Sequence, residues 1–142
     1  MTADQIGLIR DTWQSIGPIA KIVPQIFYDR LFEIDPSTKP LFAKTNMSGQ
    51  HVKLLQALEL VVDHANDLDS LIPALEVMGR RHVRYGVLDK HYDSVGSALL
   101  WTLERGFGAA FTHDVREAWT LAYGFVAGTM RRAAATQQAM SA

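Results

Sequence analysis

LIPALEVMGRRHVRYG, residues 71–86, is the stretch that decides the fold. Leu71, Leu75 and Met78 recur at helical spacing, and His82 continues their stripe by one more turn. The pattern predicts an amphipathic helix that opens at Asp69 or Ser70 and ends near Gly86. Its apolar face carries an imidazole. Outward from this helix the same period recurs. Upstream, Ser48 is placed to cap a helix whose apolar side is Leu54, Leu55, Leu58, Val61 and Val62. Before it, Ser37 to Phe42 reads as a short helical turn, set off by the Asp35-Pro36 break. A helix from about Ile19 to Ile34 precedes that, with Pro24 in its first turn or kinking it. Thr2 and Gln5 form a capping box in front of Ile6, Ile9, Trp13 and Ile16, and Gly17-Pro18 stops that run. Downstream, Tyr92, Val95, Leu99 and Leu103 mark one helix, which ends around Gly106-Phe107-Gly108. Trp119, Ala122, Tyr123, Val126 and Met130 mark the last, with Thr112 as its cap. No stretch alternates as a strand. The expectation is an all-α chain with one domain over residues 1–142, its Ala/Gln-rich tail after Arg132 prone to fray.

Composition agrees with a globular chain. Residues are 48% hydrophobic and 20% charged, outside the disordered range. A chain of 142 residues buries about 68–70% of its unfolded surface, enough for a core without staples. The formal net charge of −1 gives no global drive toward nucleic acid or an anionic membrane. Arg80-Arg81 and Arg131-Arg132 read as solvated helix edges. Cysteine is absent, which removes disulfides, thiolate metal sites, cysteine nucleophiles and thioether-linked haem. The N-terminus lacks an apolar run of signal type, and no apolar stretch reaches the ~18–20 residues of a spanning helix. A cytoplasmic protein is expected.

The chemistry is narrowed by what the histidines do not do. His51, His64, His82, His91 and His113 contain no pair three or four residues apart, so no helical His pair shares a metal. Glu-x-x-His, Gly-x-Ser-x-Gly, a P-loop and the Rossmann fingerprint are all missing. His82 stands out by its inward position. By itself such a residue is more often a hydrogen-bonded core histidine than a ligand. A buried helical imidazole can also hold haem iron axially, and Met78, one turn back, would then face the porphyrin.

Further residues form a recognisable set. Leu8-Ile9-Arg10 and Trp13 are followed by Phe27-Tyr28-Asp29-Arg30-Leu31-Phe32, Pro36 and Pro40-Leu41-Phe42. After these come Gly79-Arg80-Arg81-His82, Tyr85-Gly86-Val87, Tyr92, Val95-Gly96, Ala118-Trp119 and Tyr123-Gly124. With these residues the chain resembles the globin superfamily, in particular bacterial single-domain haemoglobins, the globin part of flavohaemoglobins, and neuroglobin-like globins. The resemblance spans nearly the whole chain and implies a 3-over-3 helical sandwich around haem b.

Roles follow from the resemblance. His82 is the implied proximal iron ligand and Phe42 the phenylalanine that stacks on haem. Tyr28, Gln50 and Leu54 are implied on the distal side, where the gas binds, and Lys53 is placed to reach a propionate. Met78, Tyr85, Val87, Tyr92 and Val95 complete the cofactor wall. His51 is expected to face outward, 100° around the helix from Gln50; a register shift of one residue would bring it to the gate. His64, His91 and His113 are taken as surface residues. Neuroglobin's distal histidine is replaced by Gln50, which implies a five-coordinate or water-ligated resting iron. The glutamate that flavohaemoglobins place near the proximal histidine aligns with Ala134, and no reductase module follows the globin. Dioxygen, NO or CO are the implied ligands, with electrons from an external reductase. Oxygen binding or transport is the first expected function and nitric oxide detoxification by dioxygenation the second. A non-haem helical interaction domain is a distant third.

Overall fold

The computed structural model describes residues 1–141. Thr2 and Gln5 do form the capping box: Gln5 N–H donates to Thr2 Oγ1 at 3.2 Å, and Thr2 N–H to Gln5 Oε1 at 2.9 Å. They start α1, Ala3–Ser15. Gly17–Ile22 is a 3-10 segment, so the second α-helix begins later than its apolar period suggests, as α2, Val23–Ile34. Pro24 lies in its first turn, where the missing N–H costs nothing. Asp35 accepts from Ser37 N–H and opens the 3-10 segment Pro36–Phe42.

Helix α3, Met47–Asp63, is capped by Asn46, whose side chain accepts from Ser48 and Gly49 N–H. The cap therefore lies two residues before Ser48, because an amide oxygen there reaches the orphan donors. Helix α4, Ile72–Arg84, has Pro73 in its first turn, and α5 is Asp89–Phe107. Thr112 Oγ1 accepts from Val115 N–H in front of α6, His113–Ser141, which runs on through the Ala/Gln-rich stretch. Among the described residues there is no strand, and no helix is long and apolar enough to cross a membrane.

Helices α1, α3 and α4 lie over α2, α5 and α6. Contact is densest where α4 runs along α6 and where α2 crosses α5. Gly79 permits the first of these: a Cβ there would overlap the Met130 carbonyl oxygen and come 2.9 Å from its Cα. The main core gathers Ile9, Phe27, Leu31, Leu103 and Trp119. The Trp119 indole N–H donates to Thr12 Oγ1 at 3.0 Å and ties α6 to α1 without leaving a buried donor unpaired. Arg10 reaches from α1 to the carbonyls of Val62 and Asp63, which satisfies the C-terminal end of α3 with a cation.

Candidate functional site

His82 is half-buried on α4. Its Nδ1 lies 2.7 Å from the Met78 carbonyl oxygen. A carbonyl only accepts, so Nδ1 carries the proton and the Nε2 lone pair is left for a ligand bond. Burial pushes the imidazole pKa down, and the Met78 hydrogen bond opposes this more weakly. A neutral ring is the coordinating form. Among the described residues no three His, Asp or Glu converge. His82 would therefore serve iron as an axial ligand to a prosthetic group and not as part of a protein-only cage.

The remaining candidates fall into two apolar clusters. Met78, Val87 and Tyr92 pack with Leu71 and Leu75, beside α4. Phe42, Leu54 and Val95 pack with Tyr28, Phe27 and Leu31, beside α2. Val87 N–H donates to the His82 carbonyl at 3.0 Å, which fixes the loop directly after α4. Tyr85 is 63% exposed, with its ring 6.0 Å from the His82 ring, and Lys53 is exposed on α3. An open cleft of about 510 Å³ on the α5–α6 face, lined by Asp93, Trp101, Glu104 and Arg116 among others, includes neither His82 nor Tyr28.

Tyr28 is the hub of the contact between α2 and α3. Its ring meets Phe27 edge-on at 4.9 Å and Phe42 edge-on at 5.4 Å. The Gln50 side chain approaches the phenol. Burial raises the Tyr28 pKa and the nearby Gln50 amide lowers it less, so the hydroxyl keeps its proton and can donate it. The His51 imidazole lies flat on the Tyr28 ring, 5.5 Å between centroids with 10° between planes. The expectation that His51 faces outward is corrected. With α3 starting at Met47, Gln50 and His51 straddle the face toward α2, and both reach Tyr28.

A second correction concerns His91, expected at the surface and found 4% exposed. Leu88 N–H donates to its Nδ1 at 2.8 Å, so in the neutral ring Nε2 holds the proton and donates to Ser37 Oγ at 3.2 Å. Ser37 Oγ donates in turn to Asp35, and Ser94 Oγ donates to the other Asp35 oxygen at 2.6 Å. These two hydroxyl bonds hold the Asp35 carboxyl below the usual carboxylate range. The network joins the loop after α4 to the segment that ends in Phe42. Period and motif carry no sign of it, because its two halves are more than 50 residues apart along the chain. Arg131 is no free helix edge either: its Nη2 donates to the Asp89 carbonyl and to Asp93.

The residues fit a planar, largely apolar group held by one nitrogen. His82 offers Nε2, and half-buried Phe42, Leu54, Met78, Val87 and Val95 supply apolar surface. Among the described residues the Tyr92 hydroxyl, in the cluster with Met78 and Val87, is buried without a partner.

The family model for globins matches residues 25–130. The chain belongs to the globin family. Neuroglobin of Danio rerio is 33% identical over 139 residues, a match covering 89% of this chain and 87% of that protein. A flavohemoprotein of Vibrio cholerae is 33% identical over 129 residues; the match covers 89% of this globin but only 33% of the flavohemoprotein. Among solved structures, an engineered carbene transferase from Rhodothermus marinus superposes with a TM-score of 0.86 at 25% identity, over 99% of this chain and 98% of that one. A bacterial globin from Campylobacter jejuni superposes with a TM-score of 0.78 at 23% identity, over 99% of each chain, and shares the fold. Membership in the globin family implies a haem cofactor with its iron and small gases as ligands.

Proposed function

We propose that this globin carries haem b on His82 Nε2 and captures dioxygen reversibly, with Tyr28 and Gln50 as hydrogen-bond donors. The observation that carries the reading is the buried Tyr28 side chain, packed with Phe42 and Leu54 and approached by Gln50 from α3. Haem iron supplies the coordination position for a diatomic gas. Everything else falls to side chains. Phe42, Met78, Val87 and Val95 grip the macrocycle and exclude water, and Lys53 is free to pair with a propionate. The Tyr28 O–H and Gln50 N–H point a positive edge at a ligand that draws negative charge. Dioxygen draws more of it than carbon monoxide, so it gains more from both donors.

Each donor contributes ~1–2 kcal/mol. Tyr28→Phe is expected to speed dioxygen dissociation by about tenfold, since ~1.4 kcal/mol is a factor of ten. Gln50→Leu acts in the same direction, and the double variant is sub-additive because both donors serve the same bound ligand. Stopped-flow rates for dioxygen and carbon monoxide check this. Equal acceleration of both gases would show that the residues control entry and not charge. A preparation grown with haem and lacking a Soret band would overturn the cofactor reading itself.

The likeness to flavohemoproteins favours a second reading, nitric oxide dioxygenation in the same pocket. One NO and one dioxygen, with one electron from a reductase, yield one nitrate. Nitrate formation that follows NO consumption in the presence of a reductase separates this from simple capture.

A further inference from the structure

Charge is unevenly placed on this nearly neutral chain. Segments 39–44 and 80–90 hold six of the fourteen Lys and Arg but only one of the fifteen Asp and Glu. That acid, Asp89, is bound to Arg131. Lys39, Lys44, Arg80, Arg81, Arg84 and Lys90 are all exposed, and among the described residues none of them forms an ion pair. The two segments meet where Leu41 lies against Gly86. They are also the segments that carry Phe42 and His82.

We propose that this basic rim is the docking surface for a small acidic protein that carries single electrons. Two propionates from a haem would offset two of the charges and still leave the rim with a net excess of about three. Its centre is not a bare phosphate track. Val77, Arg81, Arg84 and Tyr85 share the exposed side of α4, with Tyr85 63% and Leu88 50% exposed beside them. Exposed aromatic and aliphatic side chains among arginines are the composition of protein interfaces, in which apolar contact holds what charge has steered. The position gives the partner's character. A carrier seated here lies over the two segments that hold the haem ligand and the stacking phenylalanine, so one electron leaves its reduced cofactor and converts ferric iron to ferrous. The electron's destination, and only that, rests on the haem reading above.

The test uses reduced and oxidised flavodoxin, an acidic FMN protein, as the probe. Titration of the ferric holoprotein with oxidised flavodoxin, where no electron can pass, is expected to show binding that weakens steeply as salt shortens the Debye length. Lys39→Glu combined with Arg81→Glu and Arg84→Glu is expected to weaken binding, and to slow reduction by reduced flavodoxin, by tenfold or more at low ionic strength. Arg116→Glu, read against Arg84→Glu alone, is the charge-matched control. It sits on α6 about 21 Å of helix from Met130, the residue that touches Gly79, and is expected to change either quantity by less than twofold. Thermal melts of each variant confirm folding. Equal loss in the control would overturn the proposal, since net charge alone would then explain it. Rim-dependent binding to phosphatidylglycerol vesicles, without binding to flavodoxin, would overturn it in favour of a membrane surface. The binding titration also works on protein without haem, so a missing Soret band condemns the cofactor reading and leaves the docking result to stand or fall alone.

Discussion

Helix α4, which carries His82, and helix α3, which carries Gln50 and His51, are held by different kinds of contact. α4 meets α6 backbone to backbone at Gly79, and Leu75, with Leu71 just before the helix, is buried beside that approach. α3 is fixed at its far end, where Leu58 and Val62 are buried and Arg10 closes its last carbonyls. Its first turns touch α2 through half-buried side chains, with Tyr28 shared between Gln50 and His51. Backbone approach admits one geometry, whereas side chains have rotamers. The helix that carries His82 is thereby set by backbone contact, and the turn that carries Gln50 and His51 is left able to re-pack.

The largest expected effect falls on the fixed side. His82→Gly should lower haem affinity at least a hundredfold, on the order of 2.7 kcal/mol, because no second histidine lies on this face of α4. Added imidazole should restore the Soret band by filling the gap. Haem held unchanged without imidazole would break the comparison by putting the ligand elsewhere.

Two glycine variants sharpen it. Gly79→Ala should cost about 1–3 kcal/mol by forcing α4 from α6, a fall in Tm of roughly 3–10 °C for a chain of this size. Gly124→Ala, with nothing within 4 Å of its Cβ, should gain about 0.5–1 kcal/mol from helix propensity. Thermal melts of both variants check the pair. If Gly79→Ala also melts higher, α4 is not held by backbone approach to α6.

The seam between the two sides gives the smallest effect. The Asp35 carboxyl is held below its usual range by Ser37 and Ser94. Its contribution is present above about pH 4 and is lost as pH falls through the lower folded value. Asp35→Asn should destabilise mildly at pH 7, by less than Gly79→Ala, and flatten the acid limb. Urea midpoints from pH 7 down to pH 3 would reveal it. An unaltered acid limb would mean that the network does not join the two sides.

Legibility in the sequence divides along the same line. The α4 stripe, the capping box at Thr2 and the helix-breaking Gly17-Pro18 and Asp35-Pro36 are local signals, and each left its mark on the fold. The inward position of His82 followed from period alone, while Tyr28, Gln50 and Phe42 needed a family resemblance to be linked, since nothing in the order of residues brings α2 to α3. His51 was placed by angle from its neighbour, a rule that fails when two adjacent residues straddle a contact. His91 had no local signal because its partners belong to other elements. The Gly79–Met130 approach was equally silent: a glycine inside a helix looks like a weakness until the second backbone is present.

The bond between Trp119 and Thr12 joins residues 107 positions apart. Translation therefore imposes a wait. Helix α1 leaves the ribosome early, yet the indole that settles against it follows roughly 5–20 s later at bacterial and eukaryotic elongation rates. For that interval the apolar stripe of Ile9 and Ile16 has no final resting place. The nascent chain must shelter it against α3 through Arg10, or hand it to a chaperone, before the last helix arrives to close the core.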